Sequence, residues 1–199
     1  MLTERFEQAL VFVNKLHSKQ LRKGTTIPYM SHLMGVSSIV LEDGGCEDEA
    51  IGALLHDTIE DCADEYSGGA AALRRDIRKQ FGNTVLEIVE HCTDADTKPK
   101  PPWHSRKQSY IDSIANKPDN ALRVSCSDKL HNARAILCDY REHGEELWGR
   151  FKGGRDSLWY YSSLVSAFKD TGRVSDSLLG ELDRAVRELH GLASEKYSN

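Results

Sequence analysis

The chain has 199 residues, with 26 Lys and Arg against 31 Asp and Glu and a formal charge of −5. Its 15 Gly and 5 Pro exclude collagen-like and low-complexity classes, and 39% hydrophobic against 29% charged residues is the balance of a soluble globular protein with material for one core. The longest apolar runs, ALVFV at 9–13 and AIGALL at 50–55, fall well short of the roughly 18 residues a membrane span needs. The opening MLTERFEQ has no basic stretch leading into an apolar one, so no secretory signal is expected. Five Cys, odd in number and without a CxxC pair, point to a reducing cytoplasm rather than a disulfide framework. The mild acidity argues against DNA or RNA as partner and leaves room for one small anionic substrate held by a local basic cluster.

Apolar residues recur at helical spacing and period-two strand patterns are missing, which predicts an all-α chain. The first helix carries Phe6, Leu10, Val13 and Leu16. A second is expected from an N-cap at Ser31, with Leu33, Val36, Ile39 and Val40, ending at Gly44–Gly45. A third is expected as one run from about Glu47 to Glu60. Gly68–Gly69 precede an amphipathic segment to Phe81, and Gly82 separates that from a helix with Val85, Leu86, Ile88 and Val89. The prolines of TKPKPPW, 97–103, demand a loop, with Pro101–Pro102 opening the next helix. A long helix follows from Asn120 to about Glu142, then two more over Leu158–Phe168 and Ser175–Leu192. No internal repeat is present, and residues 1–199 read as a single domain.

The chemically informative segment is ALLHDTIED, 53–61. On a helix, adjacent His56 and Asp57 project about 100° apart, so an ion between the two directions takes both. Glu60 and Asp61, four residues on from each, stack one turn above them. Three carboxylates and an imidazole on one side of an apolar helix are expensive to bury uncompensated, and a divalent cation removes the objection. The alternative is a solvated helix end at the edge of the core. PYMSH puts His32 at a helix start, and SDKLHNA puts Asp128 in an apolar helical stretch, with Asn132 on its face. A lone Asp there also reads as the partner of a nearby Lys.

Taken together, HSKQLRKGTTIPYMSH (17–32), ALLHDTIED (53–61), FGNTVLEIVEHCTD (81–94) and SDKLHNAR (127–134) resemble the HD-domain metal-dependent phosphohydrolases. Within that family they resemble the RelA/SpoT-type (p)ppGpp hydrolases and their small stand-alone relatives. The pieces occur in family order over roughly the first 135 residues, and HDxxED joined to RKG…PYxxH and DKLHN is a specific combination. The resemblance implies an all-α HD helical bundle. It makes His32, His56, Asp57 and Asp128 the metal ligands, Glu60 and Asp61 the catalytic pair that orients and deprotonates water, and Mn²⁺ the cofactor. Two imidazoles and two carboxylates suit Mn²⁺, although Zn²⁺, Co²⁺ or Fe²⁺ bind the same set.

The same resemblance lays Arg22 and Lys23 over a guanine base and Asn132 near the ribose. Lys98, Lys100, His104, Arg106 and Lys107 form a stretch without an acid. It reads either as a solvated basic loop or as a phosphate clamp, with Lys98 and Arg106 as the contacts. Tyr160 and Tyr161 read either as pocket lining or, more readily, as core, since Leu158, Tyr161, Leu164, Val165 and Phe168 make a helical stripe; His17 reads as a pocket-wall residue. Where the family often has Pro and Thr, this chain has Leu33 and Ala135. The resemblance does not extend to the synthetase and regulatory domains of the longer members. The implied activity is Mn²⁺-dependent removal of the 3′-pyrophosphate of ppGpp or pppGpp. Alternatives are another nucleotide phosphohydrolase, such as one acting on NADPH or a nucleoside monophosphate, and a non-catalytic nucleotide sensor of HD shape.

Overall fold

The computed structural model describes residues 1–93, 99 and 101–195, and among these the chain is all-α. The helices are α1 (Glu4–Leu16), α2 (Met30–Glu42), α3 (Glu47–Leu55), α4 (Thr58–Cys62), α5 (Gly69–Phe81), α6 (Asn83–Cys92), α7 (Trp103–Ser113), α8 (Asp119–His143), α9 (Ser157–Thr171) and α10 (Asp176–Glu195). Among the described residues the extended backbone pairs at one isolated bridge, Leu21 with Pro28. That bridge closes the loop between α1 and α2.

Local chemistry explains several boundaries. Thr3 caps α1, its side chain accepting from the Arg5 amide, with Glu4 and Glu7 in the first turn. Glu49, the third of three acidic residues in the first turn of α3, reaches back to the Cys46 amide at 2.7 Å. Pro102 stands just before α7. Ser31 is not a cap: α2 starts one residue earlier, at Met30, and its first turn leans on the carbonyls of Pro28 and Tyr29. The expected single helix over Glu47–Glu60 is two. α3 stops at Leu55, His56 and Asp57 form a turn, and α4 resumes at Thr58.

The molecule has two main apolar clusters. One joins α1, α3, α5 and α6 through Val13, Ile51, Leu54, Leu73, Phe81 and Leu86. The other joins α8, α9 and α10 through Leu130, Leu137, Leu164, Phe168 and Leu182. Helix α3 is the most enclosed element, buried from Glu49 through Leu55. A Cβ on its Gly52 would lie 2.6 Å from Ile88 Cγ2, so this glycine permits the close approach of α3 and α6. Full burial of Ile51, Leu54 and Leu55 stabilises the fold by about 1.5–3 kcal/mol per side chain. It also fixes where the end of α3 delivers the next two residues. Tyr160 and Tyr161 are buried in the α8–α10 cluster, as the core stripe predicts. Among the described residues no helix is long and apolar enough to cross a membrane.

Candidate active site

Three elements bring polar side chains to one buried point. The end of α3 supplies His56 and Asp57, the first turn of α2 supplies His32, and the middle of α8 supplies Asp128. Both imidazoles are about 1% exposed. The ligand atoms of His32, His56 and Asp57 lie within 4.8 Å of one another. His56 Nε2 is 3.0 Å from Asp57 Oδ2 and 3.3 Å from His32 Nε2. Asp128 Oδ1 is 3.2 Å from His32 Nε2 and 3.6 Å from His56 Nε2.

These separations fit a shared cation. Ligands about 2.1 Å from one ion lie roughly 3.0 Å apart at octahedral angles and 3.4 Å apart at tetrahedral ones. The donor set of neutral nitrogens and carboxylates suits a divalent transition metal. Burial rules out the solvated-helix-end alternative for His56, while Asp57 and Glu60 are half-buried and Asp61 is exposed, and the break at His56–Asp57 accounts for the convergence. Stacking of Glu60 and Asp61 on a continuous helix is therefore not the geometry found. Asp57 departs from helical backbone at ψ −2, although the Asp61 amide still donates to the Asp57 carbonyl.

Each of these four side chains is held by an outer partner. His56 Nδ1 donates to the Ala53 carbonyl at 2.8 Å, so in the neutral ring it is the Nε2 lone pair that faces the centre. The Tyr29 hydroxyl donates to Asp57 Oδ2. Lys129 donates to Asp128 Oδ2 at 2.6 Å and Asn132 donates to Asp128 Oδ1 at 2.6 Å. His32 Nδ1 lies 2.9 Å from His131 Nδ1. Asp128 thus does have the Lys partner that a lone buried Asp suggests, on the carboxylate oxygen turned away from the imidazoles.

The charges are coupled. Burial alone would push His56 down, yet Asp57 and Asp128 raise its pKa well above the usual imidazole range. Burial opposes ionisation of Asp57 and Asp128, and it is outweighed: His56 and His32 hold Asp57 well below the carboxylate range, and Lys129 with the two imidazoles does the same for Asp128. Burial and Asp57 push the Tyr29 phenol far up, which keeps it a donor. Burial, His32 and Arg22 lower His131 to about 4.

The expected catalytic acids sit on α4 beside this centre. Glu60 is half-buried and Asp61 is exposed. Asp61 Oδ2 accepts from Gln20 Nε2 at 2.8 Å, and Gln20 Oε1 lies 2.6 Å from His17 Nδ1. His17 stacks on Tyr29 at 5.4 Å between ring centroids, in the wall rather than in the ligand group.

The expected nucleotide residues divide. Arg22 donates to Asn132 Oδ1 at 2.8 Å and lies over Tyr29, 5.8 Å from the ring centroid. Asn132 in turn meets Asp128, so one chain of hydrogen bonds joins the α1–α2 loop to the buried carboxylate. Lys23 is exposed in the same loop. Arg106 is half-buried on α7 and its Nε donates to the Pro101 carbonyl at 3.3 Å, a contact within its own helix start. Lys98 and Lys100 lie outside the described residues. Tyr29, Lys129, His131 and Gln20 escaped the sequence reading as site residues. Tyr29, Lys129 and His131 stand inside PYMSH and SDKLHN, and Gln20 two residues before Arg22, and those positions were the signal available.

Residues 9–159 match the HD domain family. The chain is 31% identical over 179 residues to guanosine-3′,5′-bis(diphosphate) 3′-pyrophosphohydrolase MESH1 of Xenopus tropicalis, covering 88% of this chain and 89% of that protein. It is 33% identical over 180 residues to MESH1 of Homo sapiens, covering 88% and 90%. A solved structure described as a metazoan ortholog of SpoT that hydrolyzes ppGpp superposes with a TM-score of 0.76 at 26% identity, covering 96% of this chain and 98% of that one. With its histidine–aspartate pair set against His32 and Asp128, the chain belongs to the HD-domain family and, within it, to the group of these MESH1 relatives.

Proposed function

We propose that the chain is a Mn²⁺-dependent hydrolase that converts ppGpp or pppGpp to GDP or GTP and pyrophosphate. The observation that carries this is the hydrogen-bonded chain from Arg22 through Asn132 to Asp128, which ties the α1–α2 loop to a metal-competent cluster. The names of the MESH1 relatives support the substrate.

In this reading His32, His56, Asp57 and Asp128 hold the cation. A bound divalent ion supplies Lewis-acid polarisation of a phosphoryl oxygen and a water of lowered pKa. Glu60 and Asp61 take the proton as the water oxygen bonds to the phosphorus next to O3′. The P–O3′ bond breaks, O3′ is protonated, and pyrophosphate leaves. Gln20 fixes the Asp61 carboxylate for that role. Arg22 and Lys23 hold the base and Asn132 the ribose side. Lys98 and Arg106 offset phosphate charge, and Arg106 does so after releasing Pro101. A small guanine nucleotide is the partner, and a reducing cytoplasm is the compartment.

The test is pyrophosphate release from ppGpp, GTP and dGTP, and phosphate release from NADPH, each with and without Mn²⁺. We expect ppGpp to be turned over in a Mn²⁺-dependent manner, with little activity on GTP. Faster turnover of GTP, dGTP or NADPH overturns the substrate. Tight nucleotide binding without turnover overturns the enzyme reading.

A further inference from the structure

His32 and His56 present Nε2 to the same centre, but their far nitrogens are held differently. The partner of His56 Nδ1 is a backbone carbonyl, which only accepts, so its tautomer is decided by the fold. The partner of His32 Nδ1 is another imidazole nitrogen, His131 Nδ1 at 2.9 Å, with ring planes at 63°. One proton serves that contact, and either ring can carry it.

We propose that His131 is a positioning residue, built to accept from His32 so that the His32 Nε2 lone pair is directed at the cation. This rests on the metal reading of His32 given above. The Nε2 of His32 lies 3.2 Å from Asp128 Oδ1 and 3.6 Å from Asp57 Oδ2. If His131 were the donor, neutral His32 would carry its proton on Nε2, pointing at the position of the ion. If His32 donates, the lone pair points there and the His131 proton moves to Nε2.

The backbone is shaped for this second ring. Gly35, three residues after His32 on α2, faces His131, three residues after Asp128 on α8. A Cβ at Gly35 would stand 2.3 Å from His131 Nε2 and 2.4 Å from Cδ2. Gly35 has no positive φ to satisfy, so the space for the His131 ring is its reason to be glycine. One ligand and one supporting position at i, i+3 on each of two packed helices therefore make a four-residue unit. Outer partners of this kind typically change metal affinity by about 10–100-fold when removed.

The test is titration of the metal-free full chain with Mn²⁺ alone, followed by electron paramagnetic resonance of the free ion, beside the melting temperature of the metal-free form. His131→Phe fills the space without an acceptor and should weaken Mn²⁺ binding about 10–100-fold, with a metal-free melting temperature close to the parent. His131→Asn carries Oδ1 near the place of Nδ1 and should restore most of the affinity. Gly35→Ala displaces the ring and should weaken Mn²⁺ in the same direction without touching the donor set. A His131→Phe variant with parental affinity overturns the assignment. So does a His131→Asn variant as weak as His131→Phe. A parent chain that binds no Mn²⁺ overturns the metal reading beneath it, and the two failures are distinguished by the parent alone.

Discussion

The two ends of the site are built differently. At the metal end, His32, His56 and Asp128 are buried, and each ligand candidate has an outer partner, from α3, α8 or, for Asp57, Tyr29 just before α2. At the end proposed to take the nucleotide, Lys23 is exposed, Arg22 is half-buried, and Arg106 is engaged with a neighbouring carbonyl. The metal end is held by buried partners before anything binds, whereas among the residues proposed for recognition Arg22 is tied to Asn132 and Lys23 is left in solvent. Preorganised groups act on the rate, and groups ordered by the ligand act on affinity. The comparison can be broken by variants that move the wrong quantity.

The largest effect belongs to the ligands themselves. Asp57→Ala or Asp128→Ala should take the content of divalent ion from about one per chain to near zero, read by elemental analysis. Equal content in parent and both variants would end the distinction between the two ends. Next comes Glu60→Gln, expected to keep metal and nucleotide while kcat falls by about 10²–10⁴. Loss of the ion along with the rate would make Glu60 a ligand.

Arg22→Ala should raise KM for ppGpp much more than it lowers kcat, because contacts to a base are equal in ground and transition states. The hydrogen bond from Arg22 to Asn132 sharpens this: a large fall in kcat would mean that the loop also sets the Asp128 carboxylate. A gain is expected from Ala135→Thr, which returns one hydroxyl near the ribose side. It should lower KM by roughly two- to tenfold, the worth of one hydrogen bond of about 0.5–1.5 kcal/mol.

The smallest effect is on stability. Burial lowers the pKa of His17 from 6.5, against a hydrogen bond from its Nδ1 to Gln20 Oε1 that raises it. Below pH 6.5 the unfolded chain takes up this proton before the folded one does. The stability contribution of His17 is therefore full above that pH and is lost as pH falls toward the lowered folded value. Urea midpoints of parent and His17→Gln, compared between pH 7.5 and pH 5, should converge at the acid end. A constant gap would show that His17 titrates alike in both states and is no part of a closed wall.

Much of the fold was legible in the sequence because helical periodicity is local. The apolar spacings of α5, α6, α8 and α9 mark their buried faces, and glycines or prolines mark most of their ends. The helix break at His56–Asp57 was not legible. Nothing in ALLHDTIED interrupts a helix by propensity, and the break follows from how α3 is gripped on all sides and how its end meets His32 and Asp128.

The candidate site divides in the same way. HDxxED, PYxxH and DKLHN name the four ligand candidates and the acidic pair through the family they resemble; spacing alone left a solvated helix end open beside a metal site. The partners that orient them join segments far apart in the chain: Tyr29 to Asp57, His131 to His32 and Gln20 to Asp61. So does the bond from Arg22 to Asn132 that links the two ends. By itself the sequence determined the all-α class and which residues to propose for the chemistry. Only the tertiary structure decided which oxygen or nitrogen of each faces the centre, because that choice belongs to hydrogen bonds between side chains that meet after the helices pack.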